Sequence, residues 1–205
     1  MTFGELLAAS ILAFQRAGVA FMVTGSLASS YYGEPRATRG IDTDPGGLER
    51  LVIALQQAGL YMDRDAAIAA HVQKSQFNAI ADGAAKVDFI VRRDRPFSVE
   101  EFARRQSADL LGTPGFIVSV EDLIVAKLEW ASESGSEVQL RDVRSMLAVG
   151  GSTLDRTYIS RWIARLGLGE MWERVRRLIR DHDPRLGPAA ARRRRRMSDE
   201  LTAEM

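Results

Sequence analysis

The chain has 205 residues, of which 46% are hydrophobic and 27% are charged. These proportions are ordinary for a globular protein and exclude a chain that is disordered throughout, because enough apolar surface is available to offset the entropy of folding. Cysteine is absent, which excludes a disulfide framework, a thiolate nucleophile and a cysteine zinc site.

The net charge of +1 hides an asymmetry between the body of the chain and its end. From Arg185 onward six arginines face three acidic residues, which leaves the preceding body at −2. A near-neutral body is not typical of a domain that grips nucleic acid over its whole surface. The run Arg192–Arg196 is either a solvated charge run or a local stripe that binds RNA.

The chain shows no sign of a membrane partner. No apolar run reaches the roughly 18 residues that span a bilayer. The first residues lack the basic segment of a signal peptide. We therefore expect a cytoplasmic protein.

Helices and strands are mixed in the first part of the chain. Thr2 and Glu5 have capping-box spacing and precede a helical apolar pattern that Gly18 closes. The apolar run AFMV is typical of a strand buried on both faces. The predicted elements up to residue 119 are helices over 3–17, 26–32, 48–58, 63–70 and 98–106 (capped by Ser98), strands over 20–23 and 115–119, and a hairpin of strands 77–81 and 86–91.

The sequence after residue 119 predicts helices and no strands. Ser119 and Asp122 form a second capping-box pattern at the start of the first of these helices. The predicted helices are 119–133, 138–149, 155–166 and 169–180. We therefore expect an α/β core over 1–119, a helical subdomain over 120–184 and a flexible arginine-rich tail over 185–205.

Gly25 and Ser26 follow the first strand and open a helix. This arrangement suits a phosphate, because the first turn of a helix presents backbone N–H groups and the positive end of its dipole. The alternative is a tight strand–helix turn in which Ser26 is the N-cap.

Acidic residues follow the loop that contains Pro35. In an extended chain Asp42 and Asp44 share a face, and paired carboxylates bridge divalent cations in many phosphoryl-transfer sites. The alternative is a polar turn before the next helix, since Asp-Pro-Gly-Gly is turn-forming.

Two charged residues lie in apolar elements. Asp88 interrupts the strand KVDFIV, where a carboxylate needs a partner, a metal or a solvent-facing position. Lys127 lies in an apolar helix, where its ammonium either reaches solvent or binds a phosphate. Arg141 and Asp142 fit an ordinary polar pair on or between helices.

The order of these features resembles a known family. The segments FMVTGSLASSYYGEPRATRGID, FNAIADGAAKVDFIV, SVEDLIVAKLEW, SEVQLRDV and LDRTYISRWIARLG are similar to those of small bacterial nucleotidyltransferase-like proteins. These proteins are related to the abortive-infection nucleotidyltransferase toxins and, more distantly, to the DNA polymerase β-like nucleotidyltransferase superfamily. The resemblance covers residues 10–180.

The resemblance implies an α+β fold, with a nucleotidyltransferase-fold mixed sheet, flanking helices and an all-helical C-terminal part. It also implies metal-dependent transfer of a nucleotide from an NTP, with Mg²⁺ or Mn²⁺ as cofactor. Asp88 is in addition the candidate for deprotonating the acceptor. In the implied site, Gly25 and Ser26 bind the nucleotide phosphates, Asp42 and Asp88 bind the metal, and Lys127 lies near the triphosphate.

Position 40 departs from the family pattern. The first Asp of the metal-binding pair should stand there, and this chain has Gly40. Asp44 lies on the same side of the strand as Asp42 but about 6–7 Å beyond it, so it cannot hold two metals about 4 Å apart equally well. We therefore expect either a weakened metal site of Asp42, Asp88 and Asp44 or water, or a catalytically degenerate protein that binds a nucleotide or a partner.

Two arginines of the loop before residue 40 are further candidates. Arg39 is predicted to contact the nucleotide, and Arg36 contacts the nucleotide or the acceptor; the alternative is solvated loop charge.

A hydroxyl of an RNA, a protein or a small molecule is the expected acceptor. A toxin-like role with a cognate antitoxin as partner follows from the resemblance alone.

Overall fold

The computed structural model describes residues 1–32, 40–43, 47–81 and 86–181, and for 40–43 it describes the backbone. In this part of the chain there are nine helices, and seven strands that form one sheet. In chain order the elements are α1 (Phe3–Ala17), β1 (Phe21–Thr24), α2 (Gly25–Tyr32), β2 (Gly40–Thr43), α3 (Leu48–Gln57), β3 (Tyr61–Met62), α4 (Arg64–Gln73), β4 (Gln76–Ile80), β5 (Lys86–Val91), α5 (Pro96–Ala103), β6 (Gln106–Leu110), β7 (Thr113–Ile117), α6 (Val120–Ser134), α7 (Glu137–Gly150), α8 (Arg156–Arg165) and α9 (Gly169–Asp181).

The sheet is mixed, with the strand order β3-β4-β5-β2-β1-β7-β6. The pairs β2–β5 and β1–β7 are parallel, and the other neighbouring strands are antiparallel. The last described strand ends at Ile117 and helices alone follow up to residue 181. The predicted α+β fold is confirmed.

The core on one face of the sheet is aromatic. Phe14 of α1 packs on Phe21 of β1 and on Phe89 of β5, with 5.3 Å between ring centroids in each pair. Phe89 also contacts Phe77 of β4 at 5.2 Å. Helix α1 contributes Phe14 to this core, and both of its predicted ends are confirmed. It begins with a complete Thr2–Glu5 capping box and ends at Gly18 in the left-handed conformation.

The fully buried Asp122 ties the helical part to the core. It lies in the first turn of α6 and accepts hydrogen bonds from the Ser119 hydroxyl at 2.5 Å, from Nε of Arg104 at 3.0 Å and from the Tyr158 hydroxyl. Arg104 follows α5 and Tyr158 belongs to α8, so one carboxylate joins three helices. A buried carboxylate needs such partners, because without them desolvation would be costly.

The helix over 98–106 differs from its prediction. It begins at Pro96 after the N-cap Arg95, and Ser98 lies inside its first turn, where its hydroxyl accepts from Nε of Arg95 at 2.9 Å. Ser98 is therefore not the cap. Proline suits the first turn, because it has no N–H to leave unpaired there and its fixed φ is helical.

Two strands were not predicted. β3 has two residues, too few to show a pattern, and β6 has the sequence QSADL, which lacks β-branched and aromatic residues. β6 forms because it pairs antiparallel with β7, from Gln106 opposite Ile117 to Leu110 opposite Thr113. Tertiary pairing outweighs propensity here.

Several predictions fall outside the described residues. They are the loop with Arg36 and Arg39, the connection of the predicted hairpin at 82–85, Asp44 and the tail 185–205. Among the described helices none is long and apolar enough to cross a bilayer. The boundaries at 119 and 184 remain predictions.

Candidate functional site

Gly25 forms the turn between β1 and α2. Its φ of +64° lies in the left-handed region, which glycine adopts without a steric penalty. The helix therefore begins directly where the buried strand ends, one residue before the predicted start at Ser26, and Ser26 lies inside it rather than capping it. The hydroxyls of Ser29 and Ser30 donate to the carbonyls of Gly25 and Ser26, each at 2.9 Å.

Three adjacent strands meet next to this turn. Thr24 of β1 is the register partner of Gly40 in β2, and Gly40 is the register partner of Asp88 in β5. These residues form one row across the sheet, and the row lies directly before the Gly25 turn. Neighbouring strands are about 4.8 Å apart, so Asp88 is two strand spacings from the end of β1.

Asp42 lies one pleat further from the turn. Its register partners are Met22 of β1 and Ile90 of β5. Positions 40 and 42 belong to the same face of the sheet as Asp88, because strand residues two apart share a face. The backbone thus brings the positions of Asp42 and Asp88 to one face of the sheet. The β2 position in the row beside the Gly25 turn is a glycine.

Asp88 is half-buried and has an ion-pair partner on its own strand. Nζ of Lys86 lies 2.9 Å from its Oδ1, and the two side chains are 49% and 31% exposed. On the opposite face of β5, Val87, Phe89 and Val91 are buried in the core. The strand alternation therefore fixes Asp88 on the face that carries positions 40 and 42.

Lys127 is buried, with 4% of its surface exposed. Its ammonium donates to Oδ2 of Asp142 at 2.8 Å and to Oε1 of Gln139 at 2.7 Å. Asp142 thus forms a polar pair between helices, as predicted, but its partner is Lys127 of α6 rather than its neighbour Arg141, which is exposed. The predicted role of Lys127 at a triphosphate remains a prediction.

Helix α2 is fixed to the start of α6. The hydroxyl of Tyr32, the last residue of α2, donates to the carbonyl of Val118 at 2.8 Å, and the Val118 N–H donates to the carbonyl of Val23 at 3.0 Å. Burial raises the pKa of the Tyr32 phenol, so this donor keeps its proton. The Gly25 turn is therefore held between the sheet and the helical part.

The residues present fit a hard divalent cation in part. Carboxylate oxygens are the ligands that Mg²⁺ and Mn²⁺ prefer, and the register brings two carboxylate-bearing positions, 42 and 88, to one face. Within the described side chains no group of three or more acidic or histidine residues is arranged to hold a metal.

An open depression of about 500 Å³ lies elsewhere, between α8 and α9. Its lining includes Ile163, Gly167 and Trp172. None of the described candidates Gly25, Ser26, Asp88 and Lys127 lines it, so it belongs to the helical part and not to the candidate site.

Comparison with known proteins shows the fold. No protein-family model and no curated protein match the chain. Antibiotic-resistance factor ANT(2'')-Ia in complex with adenylyl-2''-tobramycin is similar over 81% of this chain and 99% of its own, with 16% identity and a TM-score of 0.54. An antigenic nucleotidyltransferase-like protein from Paracoccidioides brasiliensis is similar over 92% of each chain, with 15% identity and a TM-score of 0.52. The chain has a nucleotidyltransferase fold.

Sequence reasoning missed two residues that contact predicted site residues. Lys86 shares a face of β5 with Asp88 and forms an ion pair with it. The sequence signal for this pair was the spacing of a basic and an acidic residue two positions apart in a strand. Gln139 was missed as a partner of Lys127. Its signal was weaker, because only the packing of α6 on α7 brings residues 127 and 139 together.

Proposed function

We propose that this protein binds a nucleoside triphosphate with Mg²⁺ or Mn²⁺ and transfers the nucleotide to a hydroxyl acceptor. The observation that carries the proposal is the row Thr24–Gly40–Asp88, which lies directly before the Gly25 turn. It combines a helix N-terminus that suits phosphates with a carboxylate that suits a cation. The fold of the solved neighbours supports the same class of reaction.

The proposed roles combine the described backbone with what the family resemblance implies. Gly25 and Ser26 offer backbone N–H groups to the outer phosphates, and Asp42 and Asp88 hold the cation, with Asp44 or water completing its shell. The bound cation would supply charge neutralisation at the α-phosphate. Lys127 offers positive charge to the triphosphate, and Arg39 contacts the nucleotide.

The reaction is a substitution at the α-phosphorus. The acceptor oxygen forms a bond to this phosphorus, the bond from the phosphorus to the bridging oxygen of the β-phosphate breaks, and pyrophosphate leaves with the bonding electrons. The acceptor proton passes to the Asp88 carboxylate. Positioning and charge neutralisation carry most of the catalysis in such transfers.

The acceptor is an RNA, a protein or a small molecule. One solved neighbour holds an adenylylated aminoglycoside, so small hydroxyl compounds belong in an acceptor screen beside RNA and protein. Relation to the abortive-infection toxins adds a toxin-like role, in which expression slows growth and a cognate antitoxin relieves it.

Gly40 favours a second candidate function, a degenerate protein that binds the nucleotide without transferring it. The glycine occupies the β2 position of the row that includes Asp88. Loss of one metal-ligating carboxylate would lower the rate by orders of magnitude, because the charge of the reacting phosphate is then poorly neutralised.

Label transfer from an α-³²P-labelled NTP tests both candidates. We expect Asp88→Asn to abolish transfer and Gly40→Asp to raise it about tenfold or more, whereas Asp65→Asn, an exposed carboxylate in the first turn of α4, changes nothing. Nucleotide binding without transfer in the wild-type chain, with transfer gained in Gly40→Asp, identifies the degenerate protein. Absence of NTP binding in both chains would overturn the proposal.

A further inference from the structure

The buried ion pair of Lys127 and Asp142 joins two helices of the C-terminal part. Nζ of Lys127 on α6 lies 2.8 Å from Oδ2 of Asp142 and 2.7 Å from Oε1 of Gln139, both on α7. The two charged side chains are 5% and 9% exposed. Arg141, the neighbour of Asp142 in sequence, is exposed.

This pair belongs to the part of the molecule that packs against the helix after the Gly25 turn. Helix α2, which begins at Gly25, packs against both α6 and α7. The start of α6 is fixed to the end of β1 through the Val118 N–H and the Val23 carbonyl, 3.0 Å apart. The two helices that share the buried charges are therefore the two that lie against α2.

Stability alone is a weak reason for such a pair. Removing two charges from water carries a large desolvation cost, and apolar side chains of similar volume often give an equally stable protein in their place. Leu128, Leu140 and Val143, the neighbours of the pair in sequence, are buried in the core. A buried ammonium needs a nearby anion to remain charged and hydrogen-bond acceptors to hold it in one orientation.

We propose that Asp142, with Gln139, is a positioning residue that holds the Lys127 ammonium charged and in place for the triphosphate. The inference rests on the proposed function and assigns this site two residues from α7. Asp142 supplies the negative charge that offsets desolvation of the ammonium, and Gln139 supplies a neutral acceptor that leaves the net charge of the group unchanged. Neither residue touches the nucleotide in this role.

The double variant Lys127→Met with Asp142→Leu separates the role from stability. It replaces the charges by apolar side chains, so we expect it to fold, with a Tm within a few degrees of that of the wild-type chain. Its Kd for the best-bound of the four ribonucleoside triphosphates should rise about tenfold, with and without Mg²⁺, because a charge-assisted contact is lost.

The matched control is the ion pair Arg95–Glu129, which also involves α6. Its two hydrogen bonds are 2.5 Å long and join the start of α5 to α6. The double variant Arg95→Met with Glu129→Leu should leave the Kd unchanged. Equal nucleotide affinity in the Lys127/Asp142 double variant and the wild-type chain would overturn the inference.

Single variants keep the inference testable if the double variant fails to fold. Asp142→Asn keeps the shape and an acceptor but removes the charge, and Asp142→Glu keeps the charge. Among chains with native circular dichroism, we expect Asn to weaken NTP binding severalfold and Glu to restore most of it. Equal Kd values in both would overturn the positioning role.

These measurements distinguish failure of the proposed function from failure of the positioning role of Asp142. A wild-type chain that binds none of the four triphosphates overturns both proposals. Transfer that depends on Asp88, together with an unchanged Kd in the Lys127/Asp142 double variant, overturns the inference alone.

Discussion

Lys86 and Asp88 form an ion pair on one face of β5, with 2.9 Å between Nζ and Oδ1. They share this face because they are two residues apart in a strand. Asp88 is also the carboxylate in the row next to the Gly25 turn. A divalent cation at Asp88 must therefore share the carboxylate with, or displace, a cation that the chain itself supplies.

Replacing Lys86 with Met should tighten the binding of Mn²⁺. The ammonium competes with the metal for Asp88, and both side chains are partly exposed, so we expect a modest effect of about threefold to fivefold in Kd. Electron paramagnetic resonance titration of free Mn²⁺ measures it. Lys74→Met is the control, because Lys74 forms a comparable surface pair with Asp94 at 3.6 Å. Identical Kd values in the two variants would contradict the competition.

The sequence predicts the local parts of the site better than its assembly. The buried run before Gly25 and the alternation around Asp88 follow from patterns a few residues long, and both are found in the structure. The register of Gly40 with Asp88 joins positions 48 residues apart, which no local pattern encodes. The pair Lys127–Asp142 depends on how α6 and α7 pack. The sequence therefore predicted solvent or a phosphate for Lys127 and a polar pair for Arg141 and Asp142, but not the contact between Lys127 and Asp142.

Replacing Gly25 with Ala should weaken nucleotide binding strongly and lower the free energy of unfolding only slightly. A side chain at φ +64° costs about 1 kcal/mol of backbone strain, and relief of that strain would move the first turn of α2. We expect a Kd for NTP at least tenfold higher, measured by equilibrium dialysis.

Gly18→Ala is the matched control for this change. Gly18 ends α1 with a nearly equal φ of +62°, and a Cβ built there meets nothing within 4 Å. Both variants should lose about 1 kcal/mol in urea unfolding, but only Gly25→Ala should lose nucleotide binding. Equal Kd values would remove the Gly25 turn from the site.

Deleting residues 187–205 tests whether the run Arg192–Arg196 contacts RNA. Five arginines at phosphates of a single strand would contribute about 3.5 to the magnitude of the slope of log K against log salt. We expect the truncated chain to retain less RNA at 50 mM salt on a filter, and its salt slope to fall by about that amount. Changing the five arginines to glutamine should reproduce the loss. Unchanged retention in both would identify a solvated charge run.

Tyr158 should make stability depend on alkaline pH. Burial first, and then the hydrogen bond to Asp122, raise the pKa of the Tyr158 phenol above its ordinary value of 10.0. The folded chain thus keeps this proton above pH 10, where the unfolded chain loses it. The stabilising contribution is complete below about pH 10 and falls as the pH rises further, by up to about 1.4 kcal/mol per pH unit.

Tyr158→Phe separates the hydrogen bond from the titration. At pH 8 the variant should be about 1–2 kcal/mol less stable in urea unfolding, because the buried Asp122 loses a donor. Between pH 10 and 11.5 this difference should shrink, because phenylalanine has no proton to lose when the chain unfolds. Tyr61→Phe, which removes an exposed hydroxyl on β3, should follow the wild-type profile. A difference between Tyr158→Phe and the wild-type chain that stays constant from pH 8 to 11.5 would show that Tyr158 stabilises the fold through packing and hydrogen bonding alone.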